Sequence, residues 1–172
     1  MFSGEDEFKK ILSNFDVIIE IGNCEPSLYS LLSNCKKSES KVISYVDEIN
    51  QSIDYGEKID FRVGNCCKRN TAEEIKKIIN SSNCPILLLC DGKNKILEFY
   101  FYSNFLKKGD VIMCHDYAHS KEDFENLKLK LNCNLKYDIW WDFIEPIVKK
   151  KNLKQYYYDD FKNIFWGCFI KD

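Results

Sequence analysis

The sequence alternates short apolar runs with longer segments of helical spacing, and this alternation limits the possible folds more than any other feature. Several runs are apolar at consecutive positions, which is typical of parallel strands buried on both faces. Strand, helix and strand in repetition predict a parallel α/β sheet with right-handed crossovers. The predicted strands are Val17–Ile21, Val42–Val46, Ile59–Val63, Ile86–Cys90 and Val111–Cys114.

The segments between and after these strands carry their own signals. In NTAEEIKKIINSS, apolar residues from Ala72 to Ile79 recur at helical spacing, and Asn70 or Thr71 is expected to cap the helix. The stretches LKYDIWW and NIFWGCFIK predict two further strands near the C-terminus. We expect the second of these, near Ile164–Ile170, to be antiparallel and inserted near one edge of the sheet.

Composition narrows the class of protein. A chain of 172 residues is expected to form one domain, residues 1–172, and its net charge of −2 does not favour nucleic acid or anionic lipid as a partner. The nine cysteines contain no C-x-x-C pair, which indicates reduced, buried thiols in a cytoplasmic protein. The acidic start does not have the pattern of a signal peptide, and no apolar run approaches the roughly 18 residues of a membrane helix.

Ligands of open parallel sheets bind at the carboxyl ends of the strands, so the residues that follow each strand are candidates for a site. Each predicted strand is followed by an acid or a turn residue, and these ends converge on one edge of the sheet. The segments are Glu20–Ser27, Asp47 and Glu48, Gly64–Cys67, Asp91 and Gly92, and His115–Tyr117.

The first of these segments contains a single glycine, Gly22, so the glycine-rich fingerprint of a pyrophosphate site is absent. A ligand held through ribose and amine groups needs fewer glycines. Asp47, at the end of the next strand, stands where an acid accepts hydrogen bonds from ribose hydroxyls. Alternatively, Asp47 and Glu48 cap the helix that follows, and the sequence leaves both interpretations open.

The only two histidines of the chain, His115 and His119, lie on one short segment after the fifth predicted strand. Asp91, His115 and Asp116 come from neighbouring strand ends, and two carboxylates with an imidazole suit a divalent cation. The alternative is that Asp91 only starts a turn and Asp116 only caps a helix near Ser120. We favour a site, because the three groups are expected to converge.

With these residues in place, the chain resembles a class I S-adenosylmethionine-dependent methyltransferase, of the macrocin O-methyltransferase and cephalosporin-hydroxylase type. VIIEIGNCEPSLYSLL is similar to motif I, VISYVDE to the second-strand motif, and FRVGNC to the Gly-Asp-Ser turn. The stretch ILLLCDGKNKILEFYFYSNFLKKGDVIMCHDY resembles the family's most specific pattern. The resemblance implies a Rossmann-like, mostly parallel sheet of about seven strands with helices on both faces. It implies S-adenosylmethionine as cofactor, bound by Glu20, Gly22, Asp47, Gly64, Asn65 and Asp91.

The same resemblance implies the chemistry. Asp91, His115 and Asp116 are then ligands of a divalent metal, Mg²⁺ or Mn²⁺, with His115 and Asp116 catalytic. The metal lowers the pKa of an acceptor hydroxyl, and His115 is a third ligand or the general base. The implied substrate is a small hydroxylated or sugar acceptor. The sequence leaves open whether the protein forms a homo-oligomer.

Two departures from the family pattern keep other functions open. Asn23–Pro26 replace the small residues usual after the first glycine, and Glu25 adds negative charge near the methionine part of the cofactor. His115 stands where the family has the first acid of a pair. One alternative is a non-catalytic binding or assembly protein with a degenerate cofactor loop. Another is a different metal-dependent enzyme on the same scaffold.

Overall fold

A computed structural model describes residues 4–22, 26–36, 39–48, 59–133 and 139–172 of the chain. The predicted loop at Asn23–Pro26 is described only at Pro26, which begins a helix. The helices are α1 Glu5–Leu12, α2 Pro26–Cys35, α3 Arg69–Ser81, α4 Lys95–Tyr102, α5 Lys121–Leu131, α6 Trp141–Lys150 and α7 Tyr158–Phe161. The strands are β1 Val17–Gly22, β2 Lys41–Val46, β3 Asp60–Val63, β4 Ile86–Asp91, β5 Val111–His115, β6 Tyr117–Ala118, β7 Ile139–Trp140, β8 Leu153–Gln155 and β9 Trp166–Lys171.

Seven strands form one sheet in the order β3-β2-β1-β4-β5-β9-β8. The pairs among β1 to β5 are parallel, whereas β9 is antiparallel to both β5 and β8. The predicted α/β class and the antiparallel C-terminal strand, inserted one place from the edge, are therefore confirmed. Strands β6 and β7 pair separately in parallel.

The strand predicted at LKYDIWW is present in its described part only as a short strand outside the main sheet. Ile139 and Trp140 form the short β7, and α6 begins at Trp141; residues 134–138 lie outside the described residues. The helix forms because Ile144, Ile147 and Val148 are buried along one face of it. The edge of the main sheet is instead β8, a strand of three residues that carries no pattern long enough to predict.

Apolar side chains alternate between the two faces of the sheet, and helices cover both. One core packs α3, α4 and α6 on one face, and a second core packs α1, α2 and α7 on the other. Ile19 and Ile18 show the alternation, since these neighbours on β1 belong to different cores. No helix within the described parts of the chain has the length and apolar character needed to cross a membrane.

The start of α3 differs from its prediction. The helix begins at Arg69, Lys68 stands in the capping position, and no side chain makes a capping hydrogen bond there. Thr71, one of the predicted caps, instead lies against Gly64, where a Cβ would meet Thr71 Oγ1 at 2.6 Å. The buried face of the helix, which includes Ala72, Ile75 and Ile79, is as predicted.

Candidate active site at the carboxyl edge of the sheet

The ends of β1 and β4 approach so closely that only glycine fits between them. A Cβ on Gly22 would stand 2.6 Å from the carbonyl oxygen of Asp91 and 2.7 Å from Oε1 of Glu20. The register pairs Gly22 with Asp91 directly. Gly22 therefore has a steric role in the chain itself, before any ligand is considered.

Glu20 is fully buried beneath this edge. Ser44 Oγ donates a hydrogen bond to Glu20 Oε2, and the register of β1 and β2 places the two residues opposite each other. A buried carboxylate needs such donors, because it has lost the hydrogen bonds of water. Glu20 thus ties β1 to β2 under the site rather than facing the cavity above them.

A small cavity of about 60 Å³ opens at the carboxyl ends of β1, β2 and β3. Four residues that the sequence assigned to cofactor binding line it together: Gly22, Asp47, Gly64 and Asn65. The cavity is far smaller than the roughly 300 Å³ at the low end of ligand pockets. Its walls are Ile21, Gly22, Tyr45, Asp47, Gly64, Asn65, Cys66, Cys67, Gly92, Lys93, Asn94 and Glu98.

Lys93 lies across the mouth of this cavity. Its Nζ donates to Asp47 Oδ2 at 2.7 Å, so the predicted ribose acid is engaged by an ammonium group. The hydrogen bond to Asp47 raises the pKa of Lys93. The lysine side chain is 76% exposed, and ion pairs this exposed to water and salt are weak. A ligand that hydrogen-bonds Asp47 can therefore displace Lys93.

Glu98 forms the buried wall of the cavity, and sequence reasoning did not identify it. Its carboxylate accepts hydrogen bonds from the backbone N–H groups of Gly92, at 3.1 Å, and Asn94, at 3.2 Å. Burial raises the pKa of Glu98, against the opposing effect of these two donors. Asn94 in turn caps α4 by accepting from the N–H of Leu97. This reciprocal pattern fixes the turn between β4 and α4.

A second, largely apolar cavity of about 250 Å³ adjoins the first and shares Cys66, Cys67 and Glu98 with it. Its remaining walls are the α4 side chains Leu97, Phe101 and Tyr102. Tyr102 anchors the loop after β3 by donating its hydroxyl to the carbonyl oxygen of Cys66 at 2.7 Å. Because they share Cys66, Cys67 and Glu98, the two cavities are treated together as one groove.

The cysteines differ in part from the prediction of buried thiols. All seven that the structure describes are free, and Cys90, Cys114 and Cys168 are buried as expected. Cys66 and Cys67, in contrast, reach the groove, with their sulfur atoms 3.9 Å apart. Burial raises the pKa of Cys66, which keeps that thiol protonated near neutral pH.

Asp91, His115 and Asp116 meet in one small volume next to this groove. The register of β4 and β5 pairs Cys90 with Cys114, so the residues that follow leave adjacent strands side by side. Asp91 Oδ1 lies 2.7 Å from His115 Nδ1, and Asp116 Oδ1 lies 3.7 Å from the same nitrogen.

Hydrogen bonding orients the imidazole of His115. Because a carboxylate only accepts, Nδ1–H donates to Asp91 and Nε2 is the nitrogen left for other partners. The ring also stacks on Trp166, with centroids 4.8 Å apart. Burial lowers the pKa of His115, but the bond to Asp91 and the charges of Asp91 and Asp116 together raise it above 6.5. The arrangement resembles the carboxylate–imidazole pairs that serve general bases.

Asp116 adopts a positive φ of 59°, a backbone conformation that few residues other than glycine adopt. It does not cap the following helix, because Ser120 is the N-cap of α5. The carboxylate is buried, and its Oδ1 accepts no hydrogen bond from the part of the chain that the structure describes. A buried acid with an unfilled acceptor atom favours a site over a simple turn.

Lys95, the first residue of α4, completes the cluster and was missed by the sequence reasoning. Its Nζ lies 3.0 Å from Asp116 Oδ2 and 3.7 Å from Asp91 Oδ1, and its side chain is only 11% exposed. Burial lowers the pKa of Lys95, but the charges of Asp116 and Asp91 more than offset this and raise it. The available signal was the four-residue spacing from Asp91, which is common to helical ion pairs.

The cluster does not fit the divalent metal implied by the sequence motifs. Lys95 places a positive charge between the two carboxylates that the metal would need. Within the described ranges, no group of three or more His, Cys, Asp or Glu side chains has an arrangement able to hold a metal ion. The metal assignment to Asp91, His115 and Asp116 stays a prediction, and the positions of these side chains disagree with it.

His119 lies outside the cluster, at a separate polar cavity of about 410 Å³. Its ring is exposed, stacks on Trp141 and meets Tyr158 edge-on. The cavity walls are His119, Asp123, Asn126, Leu127, Lys130, Tyr158, Lys162 and Asn163. The two histidines of the chain therefore lie apart: His115 is in the cluster with Asp91, and His119 is at this separate cavity.

No family model matches the sequence, and no curated protein matches it. Solved structures do match. An O-methyltransferase family protein from Burkholderia thailandensis aligns with a TM-score of 0.57 at 8% identity, over 98% of this chain and 54% of that one. An O-methyltransferase from Bacillus cereus in complex with SAH aligns at 0.51 and 12% identity, over 97% and 80%. MycE methyltransferase of the mycinamycin pathway, in complex with Mg and SAH, aligns at 0.50 and 12% identity, over 97% and 47%.

The chain spans about half the length of two of these proteins, 54% and 47%. At 8–12% identity the similarity concerns the fold. The alignments cover 97–98% of this chain, a region that contains the seven-stranded sheet with its antiparallel β9 inserted beside the edge strand. The chain therefore has the fold of the class I S-adenosylmethionine-dependent methyltransferases, as its strand-end motifs predicted.

Proposed function

We propose that the protein is an S-adenosylmethionine-dependent O-methyltransferase acting on a small hydroxylated or sugar acceptor. One observation carries the proposal: the Asp91–His115 pair lies beside the groove formed by Gly22, Asp47, Gly64 and Asn65. In this fold, the carboxyl edge of the sheet is where ligands bind. The known proteins of similar structure include an O-methyltransferase and the methyltransferase MycE, each in complex with SAH, which supports the same class of reaction.

The groove offers complementary surfaces for the parts of the cofactor. Asp47 accepts hydrogen bonds from ribose hydroxyls once Lys93 turns away, because that lysine is mostly exposed. The apolar cavity beside Leu97 and Phe101 suits a flat purine ring. Gly22 lines the first cavity, so its backbone is available to a ligand bound there.

His115 supplies the base. With Nδ1–H held by Asp91, His115 Nε2 takes the proton of an acceptor hydroxyl. Gly22, Asp47, Gly64 and Asn65 would hold the cofactor, which would supply a methyl group activated on a sulfonium, with the neutral sulfide as the leaving group. Asp91 steadies the imidazolium that results, and the stacking of the ring on Trp166 holds its orientation.

Calorimetry with S-adenosylhomocysteine tests the proposal without knowledge of the acceptor. We expect micromolar binding by the wild-type protein and weaker binding by Asp47→Asn, which keeps the shape of the side chain but loses its charge. Glu48→Gln is the matched control, because this neighbouring acid is exposed and does not line the groove as described. Absence of binding by both the wild type and Lys93→Ala would contradict the proposed function.

A second candidate is a non-catalytic binding or assembly protein that keeps the fold. It is favoured by the pair of Lys93 with Asp47 and by the small volume of the first cavity, about 60 Å³. The same calorimetric titration distinguishes the two candidates. A non-catalytic protein of this kind binds neither S-adenosylmethionine nor its demethylated product.

The localisation of the protein, its partners and its oligomeric state are also part of the proposal. We infer a cytoplasmic protein, since free thiols such as Cys67 and Cys84 are exposed and persist in a reducing compartment. Its partner is a small-molecule acceptor rather than nucleic acid or membrane, in keeping with a net charge of −2. A homo-oligomer is compatible with exposed apolar side chains such as Leu129, which is 81% exposed.

A further inference from the structure

We propose that Lys95 supplies the positive charge of the acceptor site, so that this site works without the divalent metal its motifs imply. The inference deepens the proposed methyl transfer and rests on it for the identity of the reaction. The exclusion of a metal by Lys95 does not depend on the identity of the reaction, because it is argued from the geometry of the cluster alone.

The first step is the position of the ammonium group. Lys95 Nζ lies between the two carboxylates, 3.0 Å from Asp116 Oδ2 and 3.7 Å from Asp91 Oδ1. These are the two acids that the sequence motifs assigned to the metal. A divalent ion bound to both oxygens would stand close to Nζ, and two cations in one small volume repel each other strongly.

The second step is the balance of charge and burial. The side chains of Lys95, Asp91 and Asp116 are 11%, 12% and 8% exposed. Buried acids require compensation, and here Lys95 offsets one of the two charges while the Nδ1–H of His115 is donated to Asp91. A metal would therefore have to displace a buried lysine that already offsets one of these charges.

The third step is what the cluster offers to an acceptor. An ammonium carries three N–H donors, and of the two carboxylates only Asp116 Oδ2 is within hydrogen-bond distance of Lys95 Nζ. Asp116 Oδ1 is buried and accepts no hydrogen bond within the described segments. A donor on Lys95 and an acceptor on Asp116 thus stand together beside the imidazole of His115.

This pairing suits a neutral polyhydroxylated acceptor. One hydroxyl oxygen accepts from Lys95, which stabilises the negative charge that develops as His115 Nε2 removes its proton. A neighbouring hydroxyl donates to Asp116 Oδ1, which fixes the orientation of the attacking oxygen. Lys95 and Asp116 then perform the two tasks of a bound metal, lowering the pKa of the hydroxyl and holding the substrate.

Titration with Mn²⁺ tests the inference, with binding followed by calorimetry and by electron paramagnetic resonance. The wild-type protein should bind no Mn²⁺ at the cluster, whereas Lys95→Ala should gain binding at least tenfold tighter, because the two carboxylates lose their cation. The double variant Lys95→Ala with Asp116→Asn should lose that gain. Lys93→Ala is the matched control: it removes a lysine two positions away that pairs with Asp47 rather than with the cluster.

Folding of the variant is checked in the same samples. If Lys95→Ala is poorly folded alone, added Mn²⁺ should raise its melting temperature, and Mn²⁺ should leave the wild-type melting temperature unchanged. Wild-type protein that binds Mn²⁺ as tightly as Lys95→Ala would overturn the inference, and so would a variant that gains neither binding nor thermal stability from the ion. Titration with S-adenosylhomocysteine is independent of this result, so failure of the proposed function is recognised separately.

Discussion

The carboxyl edge of the sheet has a proposed cofactor half around Asp47 and a proposed acceptor half around Asp116. Each half contains a lysine paired with an aspartate, but the two pairs differ in burial. Lys93 pairs with Asp47 in the open, with 76% of its side chain exposed. Lys95, two residues later, pairs with Asp116 under protein, with 11% exposed. Water and salt screen the first pair, whereas little solvent reaches the second. Under the proposed function, the comparison predicts an adjustable cofactor entrance beside a preformed acceptor site.

The largest expected effect is the loss of the buried lysine. Lys95→Ala leaves Asp91 and Asp116 buried without their ammonium partner, and breaking a buried pair in this way typically costs about 3–5 kcal/mol of unfolding free energy. Urea denaturation at neutral pH measures the change. Lys95→Arg keeps the charge and should lose much less. Equal losses for both variants would mean that side-chain packing, not charge, stabilises this half of the edge.

A smaller effect is expected where β1 meets β4. Gly22→Ala forces a Cβ against the carbonyl oxygen of Asp91, and overpacking of this kind typically costs about 1–3 kcal/mol. It should also abolish binding of S-adenosylhomocysteine, because the shift disturbs both halves of the edge. Gly64→Ala is the control, since its Cβ meets the rotatable hydroxyl of Thr71 rather than backbone. We expect it to cost less; the reverse order would contradict the steric argument.

On the cofactor side, removal of the acid should change affinity and not stability. Asp47→Ala removes the acceptor for the ribose hydroxyls, and the loss of such a partner is worth about 1–3 kcal/mol of binding free energy. Calorimetry with S-adenosylhomocysteine measures this, and thermal melting confirms that the fold is intact. An unchanged affinity would place the ribose elsewhere in the groove.

The pH dependence of stability probes the Asp91–His115 pair. The pKa of His115 is raised above 6.5 in the folded protein, so protonated His115 stabilises the fold below pH 6.5, and this contribution is lost as the pH rises through the folded-state value. The difference in stability between the wild type and His115→Gln should therefore shrink as the pH rises above 6.5. The proposed methyl transfer, in which neutral His115 is the base, should become faster over the same pH range. A difference independent of pH would show that the pair is uncharged.

The smallest effect is expected for the exposed pair. Lys93→Ala should leave the melting temperature unchanged within error, because water already solvates both of its charges. The variant should bind S-adenosylhomocysteine slightly more tightly than the wild type, because no ion pair with Asp47 has to be broken before the ligand binds. Weaker binding would show instead that Lys93 contacts the ligand, and the contrast between the two lysines would then need revision.

Much of this site was predictable, because it depends on where strands end. The five predicted parallel strands agree with β1 to β5 within one residue at each end. Asp91 and His115 were expected to meet because parallel neighbours deliver their ends to one edge, and their side chains do meet. The weakest prediction concerned the C-terminal region, where short β7 and β8 carry too few residues for a periodic pattern.

The sequence by itself determined the order of strands and helices and the set of polar side chains at the carboxyl edge, because apolar periodicity and chain order are local properties. Only the tertiary structure decided how those side chains pair. Lys93 and Lys95 look alike in the sequence, yet the start of α4 directs one toward Asp47 and buries the other against Asp116. These contacts join distant parts of the chain, so they follow from the packing of α4 on the sheet and not from local spacing.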